Sequence, residues 1–134
     1  MRDYKYRGQK DNGEWIYDTS IIVRKDKDPI DDTPFETVYI GWQNYRCQVK
    51  PETVGEWTGN IDKNSKEIYE SDIVVLPKGE MYIVVWQEYP ARYVLYDGTL
   101  NIIPFSKGII QQCLVIGNKY DKNLFKTLRN IVKK

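Results

Sequence analysis

The stretch from Pro51 to Leu76 constrains this chain more than any other. It reads Pro-Glu-Thr-Val-Gly-Glu-Trp-Thr-Gly, then Asn-Ile-Asp-Lys-Asn-Ser-Lys-Glu-Ile-Tyr-Glu-Ser-Asp-Ile-Val-Val-Leu. Val54, Trp57 and Thr58 form a strand-like run that Gly59 ends. Asp62, Asn64 and Ser65 carry short polar side chains that bond nearby backbone amides and tolerate left-handed geometry, so they write a tight turn. Ile68 and Tyr69 resume the apolar pattern, Ser71-Asp72 punctuates it, and Ile73 to Leu76 is a largely β-branched run closed by Pro77. The stretch has the character of a fold determinant, not of a site of chemistry.

The same residues carry a resemblance. Pro51, Glu52, Thr53, Val54, Gly55, Trp57, Thr58, Gly59, Asp62, Lys63, Asn64, Lys66, Ile68, Tyr69, Glu70, Asp72, Ile73 and Val74 resemble the signature of the YopX family of phage and prophage proteins. The start of the chain, Tyr4 to Gly8 with Gly13 to Tyr17, is similar too, and so is Val115 to Tyr120 near its end. The family's usual turn glycines are Ser65 and Ser71 here. A left-handed turn position accepts Gly freely and Ser only at a cost, so Asn64 is expected to take the left-handed conformation in place of residue 65. The resemblance implies a β-rich protein with an SH3-like barrel, and it implies no reaction.

A length of 134 residues suits one domain or two small barrels sharing a core. The 41% hydrophobic content supports a globular core, and no window reaches the roughly 18 continuous apolar residues of a membrane span. Eleven Tyr and four Trp add β-forming, amphipathic aromatic character. Charge is unevenly placed: residues 1 to 118 sum to −4 and residues 119 to 134 to +5. The basic tail reads as the solvated face of a terminal helix or, alternatively, as a contact for a polyanion or acidic partner. Met1-Arg2-Asp3-Tyr4 has none of the apolar core of a secretory signal, which points to the cytoplasm of the host bacterial cell. Cys47 and Cys113 stand far apart without a CxxC, so we expect two free thiols, no disulfide and no zinc site.

In chain order, Tyr4 to Arg7 alternates aromatic and basic residues as an edge strand would. Asn12-Gly13 fits a type I′ hairpin turn, and Glu14 to Arg24 reads as its returning strand. Lys25 to Pro34 is a charged loop whose Asp26, Asp28, Asp31 and Asp32 fail the EF-hand pattern, because Pro29 interrupts the spacing and the turn glycine and final Glu are missing. Phe35 to Trp42 returns as a strand, and Tyr45 to Val49 leads into the signature. Met81 to Gln87 is apolar on both faces, hence central, and Ala91 to Tyr96 follows it. Leu100 to Phe105 contains Pro104 and belongs at an edge. Ser106 to Gly108 loops out, and Ile109 to Ile116 closes the β part. Leu124, Phe125, Leu128, Ile131 and Val132 make one apolar stripe, predicting a short C-terminal α-helix capped by Asp121 or Asn123 that lids the core. Short strands at roughly ten-residue spacing imply barrels or sandwiches, not βαβ units. The fold class is therefore mainly β: small barrels including an SH3-like barrel, with a short C-terminal α-helix. Its parts are an N-terminal β-subdomain over residues 1–62 and the barrel plus helix over 63–134.

Chemistry is sparse. The chain has no His, which removes the commonest general base, triad partner and zinc ligand. No GxGxxG, P-loop, HExxH or GxSxG occurs. Asp62, Glu67, Glu70 and Asp72 lie close in sequence, but turn chemistry already explains Asp62 and Asp72. We therefore assign no catalytic, cofactor or metal residues. Tyr4, Lys5, Tyr6 and Arg7, and Arg92 with Tyr93, interleave cations and aromatics as single-strand binders do, although the acidic body argues against a broad footprint. For a protein partner the candidate surface is Trp42, Tyr45 and Trp57, since Tyr and Trp are enriched at interfaces; Trp57 and Trp86, inside apolar strands, also fit a core position. The expectation is a non-enzymatic binding or accessory module with a protein partner. The alternative is a nucleic-acid-associated phage protein. No membrane is involved, and exposed strand edges leave room for a homo-oligomer.

Overall fold

The computed structural model describes residues 4–99 and 101–121. The expected C-terminal helix lies outside the described residues. The fold is mainly β, and the described residues form three antiparallel sheets, one short α-helical turn and two 3₁₀ turns. The chain divides into two compact units, Met1–Trp57 and Thr58–Lys134.

In the first unit, β1 (Tyr6–Gln9) pairs antiparallel with β2 (Trp15–Asp18) and, on its other side, with the start of β6 (Gly55–Ile61). β1 is thus an inner strand, not the edge strand its alternation suggested. Gly8 explains the tight fit: a Cβ there would sit 2.6 Å from Val49 Cγ2, a close approach that only glycine allows in a strand. A separate three-stranded sheet has the order β3-β4-β5, formed by Ile21–Lys27, Pro34–Ile40 and Cys47–Val49. The run from Glu14 to Arg24 is therefore two strands in different sheets. The break falls at Asp18-Thr19-Ser20, where Asp18 Oδ1 accepts the Ser20 N–H at 3.0 Å and turns the chain. Val38, Ile40 and Val49 are the buried centre of this unit, with Tyr6, Ile16, Ile21 and Val54 packed against them.

Pro51–Thr53, just ahead of the strand-like run at Val54, is a single 3₁₀ turn with Pro at its first position. Proline has no N–H to leave unbonded there. Thr53 Oγ1 accepts the Gln9 N–H at 2.8 Å and donates to the Lys50 carbonyl at 2.7 Å, which ties the turn to β1.

In the second unit, the end of β6 is neighboured by β7 (Glu67–Tyr69). A five-stranded sheet follows in the order β11-β10-β9-β8-β12, built from Ile102–Pro104, Arg92–Tyr96, Met81–Gln87, Asp72–Val75 and Leu114–Asn118. β9 is central and β11, with Pro104, is an edge, as the sequence predicts. The sheet is open: none of the three sheets closes into a barrel, so the SH3-like barrel expected from residue 63 is not formed as a closed sheet. Ile68, Val74, Val84, Leu95 and Cys113 are its fully buried core. Lys107–Ile110 is a single turn of helix, α1, where the sequence suggested a loop running into a strand. Its Ile109 and Ile110 pack on that core.

Three hairpins share one turn. Lys10 N–H bonds Glu14 O and Gly13 N–H bonds Lys10 O; the same pair of bonds joins Asp62 with Lys66 and Ser65, and Leu76 with Glu80 and Gly79. This is a type I turn followed by a left-handed residue, not a type I′ turn. The left-handed residues are Gly13 (φ 91), Ser65 (φ 66) and Gly79 (φ 93). Ser65 thus takes the position itself, and Asn64 does not replace it. Ser71 is left-handed as well, at φ 74. Asp62 Oδ1 makes the Ser65 turn tolerable by accepting the N–H groups of Asn64 and Lys66 at 2.8 and 2.9 Å.

Candidate functional site

The four carboxylates grouped in the signature are mostly committed to the fold. Asp62 is 6% exposed, and besides its two turn amides its Oδ2 accepts the Val115 N–H at 2.8 Å. Asp72 is buried and accepts the Tyr69 N–H at 2.7 Å. Glu67 accepts a long hydrogen bond from the Tyr69 hydroxyl at 3.4 Å. In the charged loop, Asp28 caps the amides of Ile30 and Asp31, and Asp31 accepts the Thr33 N–H at 2.9 Å. Hydrogen bonds from the Thr33 hydroxyl and then its backbone hold the Asp31 carboxyl below the usual range. Among the described residues, no group of His, Cys, Asp or Glu is arranged to hold a metal ion.

Cys47 and Cys113 are both free thiols. Burial, and next the Asp62 charge, push the Cys113 thiol above its ordinary value, the opposite of what activates a nucleophile.

Two of the interleaved cations lie on tryptophan rings of their own chain. The Arg7 guanidinium lies 4.8 Å from the Trp15 ring centroid, and the Lys5 ammonium 5.3 Å from that of Trp57. Both are cation–π distances. Trp57, which also gives its N–H to the Lys5 carbonyl at 2.8 Å, is half-buried under that lysine. Trp86 is not a core residue either: it is 45% exposed and packs edge-on against Tyr93 at 4.9 Å.

Trp42 and Tyr45 are different. They are 62% and 88% exposed and flank or occupy the 3₁₀ turn Gln43–Tyr45 between β4 and β5. The backbone there is unusual. Gly41 has φ 116 and Gln43 φ 51, and a Cβ on Gly41 would meet Arg46 Cα at 2.9 Å. Arg46 braces the turn from behind, with its Nη1 3.2 Å from the Gln43 carbonyl and its guanidinium 5.3 Å from the Tyr39 ring centroid. The Gly41 N–H bonds the Ser20 carbonyl at 3.0 Å, fixing the turn beside the start of β3. Of the sequence-predicted surface, Trp42 and Tyr45 thus share one exposed turn, and Trp57 stands on β6 with its ring partly covered. The sequence marks Gln43-Asn44 as a turn candidate, but not Gln43 as its left-handed residue, because Gln has no left-handed preference. Gly41 was the available signal.

The family model described as YopX protein matches residues 5–125. The chain belongs to the YopX family. That match takes in both units of the fold, from β1 through β12. No curated protein matches the chain. No helix among the described residues is long and apolar enough to cross a membrane.

Proposed function

We propose that this YopX-family protein is a phage- or prophage-derived, non-enzymatic binding module that works in the cytoplasm of its host and engages a protein partner through the turn bearing Trp42 and Tyr45. One observation carries this reading: the chain holds Gly41 and Gln43 in left-handed backbone and, on that turn, leaves two large aromatic rings in solvent. Strained backbone concentrates at functional sites because packing elsewhere must hold it in place. Trp and Tyr are the side chains that most often dominate protein interfaces, since they bury much area at little rotamer cost. The commitment of Asp62 and Asp72 to backbone amides, and the missing histidine, support a role without catalysis. Trp57 would sit at most on the rim of such a surface.

Nucleic-acid association is the second reading. It rests on the basic segment 119–134 and the basic–aromatic pairs. Lys5 and Arg7 already lie on rings of their own chain, which weakens it. The two readings separate by capture from host lysate with and without nuclease, at low and high salt. Phosphate contacts weaken steeply with salt and an apolar interface does not. Retention of one protein through both treatments supports the first reading; recovery that vanishes with nuclease establishes the second and overturns the first.

A further inference from the structure

Strand edges are the other surface a β protein can offer, because their outward N–H and C=O groups are a template for another strand. Most edges in this fold are blunted. In the first unit, β2 spans four residues and β5 three. In the second, β11 is three residues ending at Pro104, and β12 is interrupted by a register shift between Val115 and Gly117. β3 is the exception among the described residues. It runs seven residues, Ile21–Lys27, in unbroken register with β4 and stands at the end of the order β3-β4-β5.

The charges on β3 select what could add to it. Side chains two apart share one face of a strand, roughly 6.6 Å from each other. On one face Arg24 already pairs with Asp26 at 3.3 Å. On the other, Lys25 and Lys27 are exposed and neither has an ion-pair partner among the described residues, although Glu36 stands opposite Lys25 in the register. Two unneutralised ammonium groups at this spacing complement Glu-x-Glu on an added strand. A second copy of β3 in parallel register would set Arg24, Lys25 and Lys27 against themselves, which like charge disfavours.

We infer that β3 accepts an extended acidic segment of the partner protein as a fourth strand of the β3-β4-β5 sheet. Backbone hydrogen bonds would supply the affinity and the Lys25/Lys27 pair the preference for alternating carboxylates. The Ser20–Gly41 hydrogen bond puts the Trp42 turn at the Ile21 end of this edge, so the added strand would end near the two aromatics. The inference rests on the reading of this protein as a protein-binding module and names the chemistry of what it binds.

The test uses the full chain and a seven-residue capped peptide with Glu at alternate positions and Thr or Val between, followed by backbone amide NMR and hydrogen exchange. The expected result is a saturable shift of the amides of Ile21 to Lys27 with slowed exchange along β3. Binding should weaken about tenfold in Lys25→Glu/Lys27→Glu, the combined worth of two exposed ion pairs. Both side chains are exposed, so that variant keeps its fold, which its unchanged spectrum verifies. The same peptide with Lys in place of Glu should not bind. Equal shifts with the lysine peptide, no saturable change on β3, or dimerisation through β3 in sedimentation would each overturn the inference. Loss of partner capture on removing Trp42 and Tyr45, with no peptide bound at β3, would leave the binding-module reading standing and sink only this one.

Discussion

Asp62 Oδ2 accepts the backbone N–H of Val115 at 2.8 Å, a bond that spans 53 positions of sequence. The same carboxylate holds the turn at Asn64 and Lys66 through its other oxygen. Beside it, Lys63 N–H bonds the Cys113 carbonyl at 3.0 Å. One buried acid thus joins the hairpin of the family signature to the last described strand. This is the physical content of Asp62 in the motif: a carboxylate is acceptor-only, and three backbone donors converge on it.

Replacing that acid tests the role. Asp62→Asn keeps Oδ1 but turns an NH₂ toward a donor, so it should cost about 1–3 kcal/mol in urea unfolding, the usual penalty for orphaning a buried backbone group. Asp62→Ala, which strips all three acceptor bonds, should cost more, about 3–5 kcal/mol. A loss below about 0.5 kcal/mol in both would show that Asp62 does not hold the turn to β12.

Ser65 and Ser71 carry left-handed backbone where glycine is freer. Ser65→Gly should stabilise the chain by about 0.5–1 kcal/mol, the left-handed strain relieved less the entropy that Gly adds to the unfolded state. Ser71→Gly should gain less, because its side chain is buried and loses packing. Ser65→Val should destabilise by at least about 1 kcal/mol, since β-branched residues fit this region worst. Thermal unfolding of the three variants reads all of this; a loss of stability in Ser65→Gly contradicts it.

Gly8 and Val49 form a second testable contact. A Cβ at Gly8 would fall inside Val49, 2.6 Å from Cγ2 and 2.8 Å from Cβ. Gly8→Ala should destabilise by about 1–3 kcal/mol through overpacking. Adding Val49→Ala should recover part of that, so the double variant loses less than the two single losses combined. Strict additivity would mean that the strain lies elsewhere.

Cys113 predicts a pH and reactivity signature. Its side chain is 0% exposed, and burial with the Asp62 charge holds its thiol above the ordinary 9.0. A raised value means that the folded state keeps a proton the unfolded state releases. The stabilisation is therefore complete below pH 9 and declines as pH rises above it. Wild type should lose more stability between about pH 8 and about pH 10 than Cys113→Ala does. With a thiol reagent at about pH 8, Cys47 should react at least about tenfold faster than Cys113.

Much of the fold was legible because its signals are local. Asn12-Gly13 and the Asp62–Ser65 cluster both mark reversals, and Pro104 marks an edge. What the sequence hid was set by pairing at a distance. β1 reads as an edge strand because Tyr4 to Arg7 alternates, yet β6 pairs along its other side at Gly55 and Glu56, and Gly8 lets it approach Val49 of the neighbouring sheet. β3 looked like a continuation of β2, since the break at Asp18 to Ser20 depends on a side-chain cap. Alternating aromatic and basic residues suggested a nucleic-acid strip, but Lys5 and Arg7 fold back onto Trp57 and Trp15. The candidate surface was legible as composition only: aromatic identity named Trp42 and Tyr45, while the strained turn that displays them depends on Gly41 fitting against Arg46.

The central claim is that Trp42 and Tyr45 are displayed for a partner and not for the fold. The most direct measurement pairs the stability of Trp42→Ala/Tyr45→Ala with its capture of protein from nuclease-treated host lysate at high salt. Both rings are exposed, so the account predicts unfolding free energy within about 0.5 kcal/mol of wild type and loss of the protein that wild type retains. A variant of unchanged stability that still retains that protein would contradict the account.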